Sequence, residues 1–246
     1  MDGFIDISQY WLIGGTVPTG TLSFLTATIC KAIRLPIASP DSLQLRIETP
    51  RPMKAGRYAL TCETTPEGIS ATLDGEAGHA TLTASTSPVP PRNSCPIPAV
   101  RPDDIPDFAG NSPGAAQQYS VRPIPLFNAE KGRADAWVHS LRPDAKSWSA
   151  LTALDAWAGP QVLDQVDAAL HGLPVDMSTP LPHTRVAELT VSPMVRDLDT
   201  QWLFRASERR VVGGEDPITH SALALDDGEV VASCTEIGSS TQHVLT

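Results

Sequence analysis

The chain has no C-x-x-C pair. Its four cysteines, Cys30, Cys62, Cys95 and Cys234, are scattered through 246 residues, which argues against a zinc site and against a disulfide scaffold. A reducing cytoplasm is the resulting expectation for its localisation. No apolar run reaches the roughly 20 residues that a membrane-spanning helix needs, so no membrane partner is expected. Basic charge is scarce as well: 18 Lys and Arg against 28 Asp and Glu leave a net charge of -10. Nucleic acid and anionic membranes both call for a basic patch, and neither is expected as a partner. The opening "MDGFIDISQYW" is acidic where a signal peptide is basic, and the closing "QHVLT" is no peroxisomal address.

Several catalytic signatures are also missing. There is no G-x-S-x-G elbow, which disfavours a serine hydrolase. There is no H-x-x-x-H and no cluster of Cys and His, so neither a metal nor another cofactor is expected. "GTVPTG", Gly15 to Gly20, has the outer spacing of a phosphate loop, but Thr21 and Leu22 stand where Lys and Ser or Thr are required. That stretch can instead end a turn with a backbone N–H at a helix start, aimed at a carbonyl oxygen, or be a structural turn only.

What the chain does contain is a repeat. Hydrophobic residues at 41% and charged residues at 19% describe a globular protein with a sizeable core, as one large domain or two. Ten of the 23 prolines fall between Pro88 and Pro125, which marks residues 87–130 as a proline-rich linker, extended or partly disordered. Residues 1–86 and 131–246 flank it, and each begins with an apolar helix and continues with about four strands. In the first, "TGTLSFLTATICKAI", capped by Thr19 or Thr21, precedes "SLQLRIE", "GRYALTCET", "GISATLD" and "HATLTAS". In the second, "SWSALTALDAWA" precedes "TRVAELTV", "QWLFRASERRVV", "THSALALD" and "EVVASCTEI". The hairpins "SATLDGE" and "LALDDGE" resemble each other, which strengthens the case for an internal repeat.

A helix apolar nearly all round must be wrapped on most sides. A curled antiparallel sheet around a central helix does this, and the expected fold is an α+β double hotdog with two such repeats. Within the last strand, alternation puts Val230, Ala232, Cys234 and Glu236 on one face and Val231, Ser233, Thr235 and Ile237 on the other. Glu236 thus follows three small apolar residues, and sits either in water at a rim or in a pocket. On the second helix, Leu151, Leu154, Asp155 and Ala158 follow the i, i+3, i+4, i+7 rule, which puts Asp155 on the buried face. A carboxylate there is either a paired structural group or a general base.

The segments "GGTVPTGTLSFL", "LRIETPRPMKAGRY", "AWVHSLRP", "ALTALDAW" and "QWLF … ALDDGEVVASCTEIG" together resemble the TesB-like acyl-CoA thioesterase family of double-hotdog proteins, over nearly the whole chain. The resemblance implies a catalytic trio: an Asp on the second central helix, a Thr on the next strand and a Gln on the last strand, holding an attacking water. Carried over, the Asp falls on Asp155 and the Gln on Glu236. The Thr falls on Val186 by gap-free counting, and Thr184 takes the role only if the register shifts. Gly15, Thr19, Gly20, His183 and Val186 are the expected substrate-binding residues, with a surface position as the other reading of His183. The implied activity is hydrolysis of acyl-CoA or carrier-bound acyl chains. The alternative is non-hydrolytic chemistry, a cyclisation, dehydration or isomerisation, on a polyketide-like metabolite, because the Thr and Gln positions are changed. A homo-oligomer is left open.

Overall fold

The computed structural model of the chain describes residues 2–7, 26, 29–30, 41–51, 53–88, 94–105, 119–124, 133–140, 184–192, 202–210, 216 and 218–238. Eleven strands occur among them: β1 (Asp2–Ile7), β2 (Ser42–Glu48), β3 (Gly56–Thr65), β4 (Gly68–Gly75), β5 (Gly78–Ser87), β6 (Tyr119–Pro123), β7 (Arg133–Ser140), β8 (Thr184–Val191), β9 (Leu203–Arg210), β10 (Ile218–Ala224) and β11 (Val230–Gly238). They form one antiparallel sheet in the order β1-β3-β4-β5-β2-β8-β11-β10-β9-β7-β6.

That order contains the repeat. Read inward from one edge, the first half runs β1-β3-β4-β5-β2. Read inward from the other edge, the second half runs β7-β9-β10-β11-β8, the same succession. The halves meet at β2 and β8, where Leu45 stands opposite Leu189 and Ile47 opposite Ala187. β6 is an addition beyond β7 at the outer edge, inside the proline-rich stretch. Pro123, its last residue, is tolerated because an edge strand leaves backbone donors unpaired on one side.

Alternation decides which face is buried. Along β2, Leu43, Leu45 and Ile47 are buried while Arg46 between them is exposed. These side chains join one cluster with Leu60, Leu73, Leu82, Leu189 and Cys234, and with Ile29 and Cys30 of the first half's apolar segment. Ile29, Cys30 and Thr26 are helical and fully buried, as a helix wrapped by the sheet's inner face must be. Burial pushes the Cys30 thiol up to about 12. On the opposite, outer face, Arg46 pairs with Glu188 across the junction of the halves and with Glu48. All three are near half-exposed, so these pairs contribute little.

The outer face of the second half is covered by part of the proline-rich stretch. Cys95 and Ile105 pack with Trp137, Phe204 and Val230 in a second cluster, and the Trp137 Nε1–H donates to the Val100 carbonyl at 3.0 Å. The turn at Asp226, Asp227 and Gly228, between β10 and β11, anchors this cover: the Cys95 N–H donates to the Gly228 carbonyl at 2.9 Å. Gly228 has φ +91, and a Cβ there would lie 2.7 Å from the Cys95 carbonyl oxygen, so glycine is required twice over. No helix among the described residues is long and apolar enough to cross a membrane.

The junction makes a direct prediction. Leu45→Ala, at a site 2% exposed, should cost about 2–5 kcal/mol in urea unfolding. Combined with Leu189→Ala, it should depart from additivity by ~0.5 kcal/mol or more. Strict additivity would show that the two halves do not share a core there.

Candidate functional site

Glu236 is buried on the inner face. It stands opposite Ala187 of β8 and Thr219 of β10, and Cys234, two residues earlier, belongs to the inner core cluster. The alternation expected for this strand holds from Ala232 onward and breaks before it. Ala224 pairs with Val230 and Leu223 with Ala232, so Val231 is an extra residue in β11. Such a bulge carries two neighbouring side chains to one face. Val231 and Ala232 both join the inner cluster, while Val230 joins the outer one. The expectation that Val230 shares the face of Glu236 is therefore corrected, and that for Ala232 and Cys234 stands.

A second bulge lies in β8. Ile237 pairs with Val186 but Gly238 pairs with Thr184, which leaves Arg185 as the extra residue of β8. Gly238 is two residues beyond Glu236, so its partner Thr184 lies on the inner face. Thr184 is buried, Arg185 is exposed and pairs with Asp216, and Val186 is half-buried opposite Glu48 on the outer face. Thr184 and Val186 thus point to opposite sides, contrary to plain alternation. The bulge thus puts Thr184 on the inner face and Val186 on the outer one. Thr49, just past the end of β2, fastens this bulge: its hydroxyl donates to the Thr184 carbonyl at 2.9 Å and its N–H to the Arg185 carbonyl at 2.8 Å.

More polar groups share this face. Arg205 of β9 is buried opposite Ala136 and Leu223, and the hydroxyls of Ser207 and Ser221 lie 2.9 Å apart, also buried. Cys234 sits among them. Burial pushes its thiol well above the usual range, the charge of Glu236 adds to this, and Arg205 opposes it. Arg205, Ser207, Ser221 and Thr49 were not singled out from the sequence. The only available signal was a polar residue at an inner position of an alternating strand, and that can be read only once the register is known. Asp155, Gly15, Thr19, Gly20 and His183 lie outside the described residues. A cavity bounded by Ser94, Pro96, Glu208, His220 and Val230 opens on the outer side of β9 and β10, with Ser207 and Ser221 also in its lining and Glu236 not.

Cys234 reports on this face. In the native protein it should resist alkylation by iodoacetamide at pH 8, whereas the half-buried Cys62 should be modified first, as peptide mapping would show. Rapid modification of Cys234 would mean that its thiol is neither buried nor held protonated.

No family model and no curated protein sequence matches the chain. Solved structures do. A hotdog-fold protein from Alicyclobacillus acidocaldarius superposes with a TM-score of 0.66 at 17% identity, covering 97% of this chain and 93% of that one. A TesB protein of Mycobacterium avium subsp. paratuberculosis superposes at 0.70 with 13% identity, covering 96% and 91%. The dehydratase domain of RzxB from Pseudomonas fluorescens superposes at 0.57 with 14% identity, covering 96% and 93%. Likeness over nearly the whole length of each, together with the repeated strand order, makes this chain a protein of the hotdog fold.

Proposed function

We propose that the chain is an acyl-thioester hydrolase in which Asp155, Thr184 and Glu236 surround the attacking water. The observation that carries this reading is the convergence of Thr184 and Glu236 on one buried face, brought about by the bulge at Arg185. A threonine beside the last-strand residue is what the TesB resemblance calls for, and this supports the reading. The likeness to a TesB protein supports the substrate class.

In this reading Asp155 takes a proton from water as the oxygen attacks the thioester carbonyl carbon. The Thr184 hydroxyl and the Glu236 carboxyl hold that water by hydrogen bonds. Collapse of the tetrahedral species breaks the C–S bond, and the departing thiolate takes the proton, leaving a carboxylic acid and a free thiol. General-base help of this kind is worth about 10² to 10⁴ in rate.

One observation favours a second reading. The family's glutamine is an acid here, and Glu236 is buried at 5% exposure. An amide can only position a water, whereas a carboxyl can also carry a proton. Paired with Asp155, it could run a dehydration, isomerisation or cyclisation, and the likeness to a dehydratase domain belongs with this reading.

Two substitutions separate the readings, assayed on a panel of acyl-CoA thioesters. Asp155→Asn should lower hydrolysis by at least ~10²-fold. Glu236→Gln should retain it, because the amide oxygen still accepts a hydrogen bond from water. Loss of all turnover in Glu236→Gln with the fold intact supports the proton-transfer reading, and no hydrolysis by the unmodified protein overturns the hydrolase.

A further inference from the structure

The two halves share a strand order but not the chemistry of their inner faces. In the first half that face is built from Leu45, Ile47, Leu60, Leu73, Leu82 and Ala84. In the second, four of the inner positions on β9, β10 and β11 carry Arg205, Ser207, Ser221 and Glu236, and these are only 1%, 6%, 6% and 5% exposed. The pairing register makes them a band rather than a scatter. Arg205 and Ser207 are successive inner residues of β9, Ser207 stands opposite Ser221, Ser221 opposite Cys234, and Glu236 is the next inner residue after Cys234.

Taking a cation out of water is costly even where it is paired, whereas the two hydroxyls satisfy each other at 2.9 Å, so the guanidinium is the group that a half built only to pack a saturated chain has no need of. Among its described residues the first half buries hydroxyls at Thr26, Ser42 and Thr49 but no charged side chain. Arginine is also the side chain suited to reading oxygen: its planar fork donates several N–H bonds to a carboxylate or carbonyl and never loses its charge. The opposing effects of Glu236 and Arg205 on the Cys234 thiol agree with a band that carries opposite charges on either side of it.

Resting on the acyl-thioester reading above, we propose that the second half reads an acyl chain bearing a carbonyl or carboxylate oxygen remote from its thioester, with Arg205 donating to that oxygen. The spacing says remote. Arg205 and Glu236 lie two strands and two inner-face positions apart, on the order of 16 Å between α-carbons at ordinary strand spacing and rise. With the thioester at Glu236 and Thr184, an oxygen on the adjacent carbons stays near Glu236, and one several carbons further along comes within reach of Arg205. The Ser207 and Ser221 hydroxyls line the path between them. Saturated fatty acyl chains of the same length are then the poorer ligands.

The test uses S-alkyl-CoA thioethers, which cannot be hydrolysed, in matched lengths ending in a methyl, a ketone or a carboxylate, with binding measured by calorimetry. The unmodified protein should bind the ketone or carboxylate form about 10-fold or more tightly than the methyl form, the scale of a charge-assisted hydrogen bond. Arg205→Met should bring that ratio close to one, and Arg205→Lys should keep part of it, since the charge remains without the fork. A ketone preference without a carboxylate preference, or the reverse, names which oxygen function is read. Equal binding of all three forms by the unmodified protein, or a preference that survives in folded Arg205→Met, overturns the proposal. The matching thioesters keep the two questions apart. Hydrolysis without chain preference leaves the hydrolase and removes the oxygen reader. An Arg205-dependent preference without hydrolysis does the reverse, and no binding of any form removes both.

Discussion

The ladder between β2 and β8 is the contact on which the two halves depend. A hotdog half presents one apolar face to its helix and leaves a strand edge exposed at its side, and an exposed edge of unpaired N–H and C=O groups invites association. Joining the two edges satisfies both backbones at once and makes one continuous inner face. Leu45, Ile47, Leu189 and Ala187 are buried along that line, whereas the ion pairs on its outer side stay half in water. Apolar burial, rather than charge, therefore holds the halves together.

The same ladder fixes which side chains face inward. Thr49 continues β2 past the junction and bonds to the carbonyls of Thr184 and Arg185, so the first half fastens the bulge that turns a threonine of the second half inward. The bulge at Val231 does a related job at the other end of β11: it lets Val230 anchor the outer cover beside Cys95 and Phe204 while Ala232, Cys234 and Glu236 face inward. Two extra residues thus allow two sheet faces to be served by strands whose plain alternation would serve only one arrangement.

Much of the fold was legible because the strands alternate. "SLQLRIE" reads as leucine and isoleucine on one face and polar residues on the other, and β2 occupies those residues with that burial. The four strands β2–β5 and their counterparts β8–β11 followed from repetition along the chain, while their order in the sheet came from the structure. β1, β6 and β7 went unread for physical reasons: β1 is six residues long, β6 lies among prolines that ordinarily argue against a strand, and β7 buries Asp135, Ala136, Trp137 and Val138 in succession rather than in alternation. The bulges could not be read at all, since an extra residue is defined by the length of the partner strand and not by its own side chain. This is why plain counting put Thr184 and Val186 on the same face; β9 pairs without a bulge, and Arg205 was hidden instead because both faces of that strand are covered, Leu203 joining the inner cluster and Phe204 the outer one.

The central claim is that an acyl group lies on the inner face of the second half, with its thioester at Thr184 and Glu236. A crystal structure with a thioether analogue of an acyl-CoA bound tests it most directly. The account predicts the sulfur-bearing end beside the Thr184 hydroxyl and the Glu236 carboxyl, with the chain running past Ser221 and Ser207 toward Arg205. A chain held against the first half's leucines, or seated in the outer-face cavity beside His220, would contradict it.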